Sequence, residues 1–212
     1  MEHFYTIDCE TSAQIIEKKS KFIADVKKVE SKQQVKQHLE EVQKKYYDAR
    51  HHCYAYRMIE NGQIIEKVSD DGEPSGTAGM PILTVLKQKN LVNLFVVVTR
   101  YFGGVLLGTG GLTRAYTEAA KVAIEKEKRI ELMPGYEVRV TLEYANLASF
   151  EYYCRKYKIP LQKAEYGETI QIVLGLTDKE KEDLERKKAN HECNILKMEV
   201  LQKKYIQKKV DI

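Results

Sequence analysis

The sequence predicts an α+β protein of two domains, and three observations support this class. A short apolar run, Phe95–Val98, is rich in β-branched residues and reads as a strand buried on both faces. The pair Asn61-Gly62 separates two strand-like arms, which is the strongest short hairpin signal. After Pro134-Gly135 the patterns follow the order β-α-β-β-α-β, typical of a ferredoxin-like unit. We therefore place residues 1–134 in an N-terminal domain and residues 135–212 in a ferredoxin-like C-terminal domain.

The chain opens with two predicted strands, Phe4–Ile7 and Lys21–Val26, and then a helix. Ser31 and Gln34 form a capping-box pattern at the start of this helix. The lysines at positions 18, 19 and 21 precede the second strand, where a charge run is typical of a solvated edge.

The first hairpin arm, Cys53–Ile59, carries tyrosines and histidines that suggest two chemistries. On a strand His52, Tyr54 and Tyr56 share one face. The tyrosines could stack on bases, or they could simply cover the sheet. A metal site at His51-His52-Cys53 is disfavoured, because neighbours on a strand point to opposite faces.

The polar segment Ser69–Gly79 precedes a predicted helix, Met80–Gln88. Its acidic residues could hold Mg²⁺, or they could act as turn formers and helix caps, which we favour. Ser75 and Thr77 are the candidate caps of the helix. The weak metal candidates are Asp70, Asp71 and Glu73.

Five glycines lie between the buried strand and a helix predicted to begin at Gly111. Glycine weakens both helices and strands, so the cluster indicates positive φ angles or a close approach of backbone. A glycine-rich turn before a helix presents unpaired amides and the positive end of the helix dipole, which suits an anion. Neither the P-loop nor the dinucleotide fingerprint is complete. The alternative is a tight connection with a purely structural role, which we favour over a site for a small-molecule phosphate.

In the C-terminal domain a strand, Tyr136–Tyr144, precedes a helix that Asn146 is expected to cap. Two further strands and a charged helix that begins with a Thr177-to-Glu180 capping box follow. Cys193–Tyr205 is the predicted last strand.

The composition is ordinary for a globular protein: 43% of the 212 residues are hydrophobic, 31% are charged, and the net charge is +4. The four cysteines are widely spaced without a CxxC pair, which predicts reduced thiols and a cytoplasmic setting. The N-terminus lacks the features of a secretory signal, and no apolar run approaches the ~20 residues of a membrane helix. We expect no membrane association.

Three motifs resemble those of the Impact family, in its bacterial YigZ/YvyE-type branch. They are RHHCYAYRM (Arg50–Met58), SDDGEPSGTAGMPIL (Ser69–Leu83) and VVVTRYFGGVLLGTGGLTRAY (Val96–Tyr116). The resemblance covers nearly the whole chain. It implies that residues 1–134 have the fold of the second domain of ribosomal protein S five, which also occurs in domain IV of elongation factor G and in a class of small-molecule kinases. It implies that residues 135–212 are similar to domain V of that elongation factor. Eukaryotic relatives regulate translation, so a role in translation is implied.

We therefore predict a non-catalytic regulator or accessory factor of translation that binds RNA or the ribosome and needs no cofactor. Two alternatives stay open: a regulatory module that binds only a protein partner, and an enzyme that holds a phosphate or nucleotide in the glycine loop. The residues predicted to contact an anion or nucleic acid are Arg50, His52, Tyr54, Arg57, Arg100, Gly103, Gly104, Gly108, Thr109, Gly110, Gly111 and Arg114.

Overall fold

The computed structural model describes residues 4–208, and contacts divide the chain into two compact units, Met1–Glu131 and Leu132–Ile212. The elements up to residue 125 are β1 (Phe4–Ile7), β2 (Thr11–Glu17), β3 (Ser20–Lys28), α1 (Lys32–Lys45), β4 (His51–Glu60), β5 (Gln63–Ser69), α2 (Gly79–Gln88), β6 (Leu94–Tyr101) and α3 (Gly108–Glu125). The remaining elements are β7 (Arg129–Leu142), α4 (Leu147–Lys156), β8 (Leu161–Tyr166), β9 (Ile170–Thr177), α5 (Asp178–Ala189) and β10 (Lys197–Lys208), with a 3₁₀ turn at Tyr144–Asn146.

In the first unit a sheet of order β2-β3-β6-β4-β5 lies between two helical layers, and its strand pairs are antiparallel. Alternate residues of the central strand β6 face opposite layers. Val96 and Val98 pack in one core with α2 and α3, whereas Phe95 and Val97 pack with α1. The prediction that this run is buried on both faces is confirmed.

Local signals set several boundaries as expected. Asn61 and Gly62 both have positive φ, which the hairpin turn requires. Ser31 Oγ accepts a hydrogen bond from the Gln34 amide at 3.3 Å and caps α1. The Gln34 side chain in turn accepts from the Glu30 amide at 2.6 Å.

Three expectations were wrong. Strand β2 was not predicted, because the turn after it uses Lys18 and Lys19 at positive φ instead of a recognisable Asn-Gly pair. Pro134-Gly135 does not interrupt the chain: both residues lie inside β7, and the unit boundary falls earlier, after Glu131. Asn146 does occupy the N-cap position of α4, but its side chain makes none of the capping hydrogen bonds expected of it.

The second unit has the predicted order β7-α4-β8-β9-α5-β10. Residues 135–142 of β7 pair with β9, β9 pairs with β8, and β10 pairs with β7. One face of this sheet packs against α4 and α5 around Val140, Phe150 and Leu174. The last strand begins at Lys197, after the predicted start at Cys193. Within the described chain no helix is long and apolar enough to cross a membrane.

Candidate nucleic-acid interface

The first turn of α3 is made of the residues that the glycine pattern indicated. The helix begins at Gly108, before the predicted start at Gly111, so Gly108, Thr109, Gly110 and Gly111 form its first turn. All of these except the half-buried Gly111 are exposed. The N-cap residue of this helix is Leu107, whose side chain makes no capping hydrogen bond. An uncapped N-terminus presents amide donors and a partial positive charge to solvent.

The preceding loop needs glycine for two different reasons. A Cβ on Gly103 would lie 2.0 Å from the carbonyl carbon of Lys19, so the backbones touch where α3's loop passes the β2–β3 turn. The Gly103 amide donates to Ser20 Oγ at 3.2 Å. Gly104 and Gly108 have φ of +79° and +69°, the left-handed region that other residues rarely adopt. These contacts fix Gly103 as a structural residue of the loop.

Exposed cations gather at this end of the sheet. The Arg114 guanidinium reaches back along α3, and its Nη1 lies 3.7 Å from where a Cβ on Gly110 would stand. Lys18 and Lys19 are exposed in the turn that touches Gly103. Arg50 is exposed just before β4, whose His51 pairs with the end of β6.

We call the exposed set the α3 N-terminal surface: Lys18, Lys19, Arg50, Gly104, Gly108–Gly110 and Arg114. The two lysines were not among the predicted contacts, because only the fold brings the β2–β3 turn beside the glycine loop. The loop also exposes apolar side chains: Leu106 is 85% exposed, Phe102 48% and Val105 41%.

Arg100, a predicted phosphate contact, is instead buried in an ion pair. Its Nη1 donates to Glu73 Oε1 at 2.6 Å, and the two side chains are 7% and 4% exposed. The Tyr116 hydroxyl donates to the same carboxylate oxygen at 2.9 Å. The Cys53 thiol lies 3.3 Å from that hydroxyl and 2.9 Å from the Asp70 carbonyl oxygen.

This buried cluster joins the acidic segment, β4, β6 and α3 beneath the candidate surface. The Arg100 guanidinium also lies near the rings of Phe22 and Phe102, at 5.5 and 5.6 Å from their centroids. Burial raises the pKa of the Cys53 thiol to about 12, and the nearby carboxylates act in the same direction. Burial likewise raises the pKa of Tyr116. Neither group is ionised near neutral pH, so both act here as hydrogen-bonding parts of the core.

The carboxylates of the acidic segment are engaged by the protein itself. Asp70 accepts from the amides of Gly76, Ala78 and Gly79 at 2.8–3.0 Å and thereby caps α2, the role expected of Ser75 and Thr77. Asp71 accepts from the His52 amide at 2.6 Å. Glu73 is held by Arg100, so all three carboxylates make contacts within the protein. Residues 4–208 contain no cluster of three or more His, Cys, Asp or Glu side chains that could hold a metal ion, and the magnesium alternative stays a prediction.

Three further predicted contacts face the interior. Arg57 is 8% exposed, donates from Nε to Glu66 at 2.9 Å and from Nη1 to the Leu91 carbonyl at 3.2 Å. His52 is 7% exposed, with Nε2 at 3.2 Å from the Tyr46 carbonyl. Tyr54 is half-buried, with its ring edge-to-face against Phe95 at 5.5 Å. The placements of Arg57 and His52, like that of Arg100, correct the expected contacts, because buried and engaged groups cannot reach a macromolecule outside. Tyr54 is only half-buried, so its contact with a base stays a prediction.

Comparison with known proteins identifies relatives of both units. The family described as the Impact N-terminal domain matches residues 18–124, and the family described as a domain of unknown function, DUF1949, matches residues 140–187. The IMPACT family member YvyE of Bacillus subtilis (strain 168) is 33% identical over 180 residues, which are 85% of this chain and 82% of that protein. The IMPACT family member YigZ of Escherichia coli (strain K12) is 38% identical over 136 residues, 63% of this chain and 66% of that one.

Among solved structures, one described as a hypothetical protein covers 95% of this chain and 97% of its own, at 28% identity and a TM-score of 0.64. A structure described as the two-domain translational regulator Yih1 matches 54% of this chain and 47% of its own, at 25% identity. Its TM-score of 0.37 is too low for a structural argument.

Proposed function

The chain belongs to the IMPACT family, and from this premise we propose that it is a non-catalytic, cytoplasmic regulator or accessory factor of translation that binds RNA or the ribosome. The α3 N-terminal surface is the contact site in this proposal. The observation that carries it is the uncapped first turn of α3, with the Arg114 guanidinium folded back to Gly110. Amides at a helix N-terminus and guanidinium groups both bind phosphate oxygens.

The charges around this turn favour a polyanion over a single phosphate. Lys18, Lys19 and Arg50 lie at the same end of the sheet but on separate elements. Cations spread over several loops match a phosphate backbone better than one compact anion. Because such contacts release counterions, binding to single-stranded RNA should weaken with salt, with a log–log slope of about −0.7 per phosphate.

The proposal extends to the finer fold relationships. The first unit is proposed to share the fold of the second domain of ribosomal protein S five and of domain IV of elongation factor G. The second unit is proposed to resemble domain V of that factor, which its β-α-β-β-α-β order supports. Superposition on those domains tests this part, and TM-scores below 0.5 would contradict it.

A protein partner is the second candidate, because the same loop exposes Phe102, Val105 and Leu106. Exposed apolar side chains close together are typical of protein–protein contacts. A contact of this kind depends mainly on apolar burial, so it should persist at raised salt and be lost in Leu106→Ser.

Ribosome cosedimentation with paired variants at Gly110 tests the main proposal. Gly110→Ala adds a helix-favouring methyl group without charge. Gly110→Glu adds a negative charge to the first turn. The helix dipole tolerates this charge, whereas a bound phosphate is repelled by it. We expect Gly110→Ala to bind ribosomes like the wild type and Gly110→Glu to bind at least several-fold less. Arg114→Ala should also reduce the salt slope by about 0.7–1.

The outcomes separate the candidates. Binding that falls with salt and in Gly110→Glu supports the RNA or ribosome contact. Equal binding of both Gly110 variants refutes the α3 N-terminal surface as the contact site. Binding that is insensitive to salt and lost only in Leu106→Ser favours the protein partner.

A further inference from the structure

The second unit contains a cleft that is separate from the α3 N-terminal surface and from the buried cluster of Arg100 and Glu73. It has a volume of about 210 Å³ and lies along α4 beside the loop that follows α5. This is smaller than the ~300–1,000 Å³ of sites for drug-sized ligands. The cleft therefore suits one flat ring or a similarly small group. Its lining includes Asn146, Tyr152, Lys156, Tyr157, Lys187 and Asn194.

One wall of the cleft is aromatic and held in place. Tyr153 and Tyr157 have ring centroids 4.7 Å apart at an angle of 45°. The buried Tyr153 donates its hydroxyl to Asp183 at 3.2 Å, which fixes this ring. Tyr157 and the neighbouring Tyr152 are 41% and 63% exposed. Two tyrosine rings are therefore open to stacking from the solvent side.

Two lysine ammonium groups lie near the Tyr157 ring, and they differ in how far they are exposed. Lys187 Nζ lies 5.2 Å from the Tyr157 ring centroid and 3.6 Å from Glu192, and its side chain is 16% exposed. It is a fixed part of the wall, and its charge is shared with carboxylates. Lys156 Nζ lies 5.6 Å from the same ring and its side chain is exposed. Lys156 is the cation that a ligand in the cleft can approach.

Two side-chain amides complete the lining. Asn194 Nδ2 donates to Asn146 Oδ1 at 3.2 Å. Each amide keeps a further hydrogen-bonding atom beyond this bond. Amide groups next to open aromatic rings are what proteins use to read the edge of an unstacked base.

We propose that this cleft binds a single nucleotide, with its base stacked on Tyr157 and Tyr152, its edge at Asn146 and Asn194, and its phosphate at Lys156. The chemistry is the same for a free nucleotide and for an unpaired nucleotide of RNA. In the RNA case the inference rests on the proposed function above, whereas binding of a free nucleotide does not. The exposed Lys156 favours a nucleotide over an aromatic peptide side chain, which carries no phosphate.

Titration of the whole ¹⁵N-labelled protein with AMP, GMP, CMP and UMP tests the proposal by NMR. Ribose 5-phosphate lacks the base, the four nucleosides lack the phosphate, and N-acetylphenylalaninamide represents a peptide. We expect saturable shifts confined to α4 and residues 190–194. Nucleotide should also slow alkylation of Cys193, which lines the cleft, as measured by peptide mass spectrometry.

Matched variants identify the contacts. Tyr157→Ala should weaken nucleotide binding by roughly 5- to 100-fold, the range for loss of one base–aromatic stack. Tyr166→Ala removes a more exposed tyrosine from β8, outside the cleft lining, and should have no effect. Lys156→Gln should weaken nucleotides by about 2- to 5-fold and leave nucleosides unchanged. Lys179→Gln is its exposed control. If Tyr157→Ala fails to fold, Tyr152→Ala serves in its place.

The absence of saturable shifts with all four nucleotides would overturn the inference, as would equal shifts with N-acetylphenylalaninamide or shifts elsewhere in the protein. Ribosome cosedimentation of Lys156→Gln separates this result from the proposed function. If the unchanged protein binds nucleotide but not ribosomes, the result supports the cleft and refutes the ribosome contact. If it binds ribosomes but not nucleotide, the result supports the ribosome contact and refutes the cleft. A parallel decrease of both affinities in Lys156→Gln, each by about 2- to 5-fold, assigns the cleft to RNA.

Discussion

Replacing Glu73 by alanine is the sharpest test of the structural role assigned to Arg100. The change removes the acceptor of both Arg100 Nη1 and the Tyr116 hydroxyl. It leaves a guanidinium that is 6% exposed without its counter-charge, and Arg100 Nε already has no hydrogen-bond partner among residues 4–208. Bulk water cannot fill the space left by the removed carboxylate without opening the core.

The cost follows from the burial of both charges. Breaking a buried pair by removing one partner costs about 3–5 kcal/mol, because the other charge stays uncompensated. A domain is stable by only ~5–15 kcal/mol, so this is a large share. Tyr116→Phe loses one hydrogen bond and should cost about 1–2 kcal/mol. Glu118→Ala, an exposed change on the same helix, should stay within about 0.5 kcal/mol.

Hydrogen exchange and Cys53 labelling measure this cost within the first unit. Amides of β6 and α3 should exchange roughly 10²- to 4 × 10³-fold faster in Glu73→Ala, since each 1.4 kcal/mol is a factor of ten. The rate at which an added disulfide reagent modifies Cys53 should rise in parallel, because the thiol belongs to the same buried cluster.

A loss below about 1 kcal/mol in Glu73→Ala would refute this reasoning. Such a result would mean that Arg100 is not confined by its ion pair. The guanidinium would then be available at the surface, and the original expectation that it contacts phosphate would return.

Three further outcomes follow from the same geometry. Gly103→Ala should lose about 1–3 kcal/mol by overpacking against the β2–β3 turn, whereas Gly110→Ala should gain up to about 1 kcal/mol, both measured by thermal unfolding. Burial opposes ionisation of Asp70, but its three amide hydrogen bonds prevail and lower its pKa. The folding stability that the ionised Asp70 contributes is therefore complete above the ordinary pKa of 3.8 and is lost as the pH falls further. Urea unfolding should therefore show Asp70→Asn less stable than the wild type at pH 7, with the difference shrinking below about pH 4. Mass spectrometry after brief iodoacetamide treatment at pH 8 should find the exposed Cys9 modified and Cys53 protected, and equal labelling would contradict the burial of Cys53.

Much of the fold could be predicted from local patterns. The hairpin at Asn61-Gly62, the doubly buried strand at Phe95–Val98 and the second unit's element order each depend on residues close in sequence. Strand β2 was missed because it is an edge strand with mixed burial, closed by two lysines at positive φ. A turn of that kind is formed by the pairing of the strands around it and has no signature of its own.

The candidate site was predicted in part. The glycines before and within α3 were expected to provide positive φ or a close approach of backbone, and the structure shows the first at Gly104 and the second at Gly103. Residue type could not distinguish Arg114, which is exposed, from Arg57 and Arg100, which are buried. All three carry the same charge, and the difference lies in what the fold packs around them.

The sequence by itself determined the two α+β units, the glycine-dependent path into α3 and the family. The units and the glycine-dependent path come from periodicity and backbone freedom, which act over a few residues, whereas the family comes from the resemblance of three motifs. Only the tertiary structure decided that Glu73, 27 residues before Arg100, neutralises it in the core, and that Lys19 meets the loop at Gly103. Burial of a charge depends on partners distant in sequence, because water is excluded only when several elements close around the group.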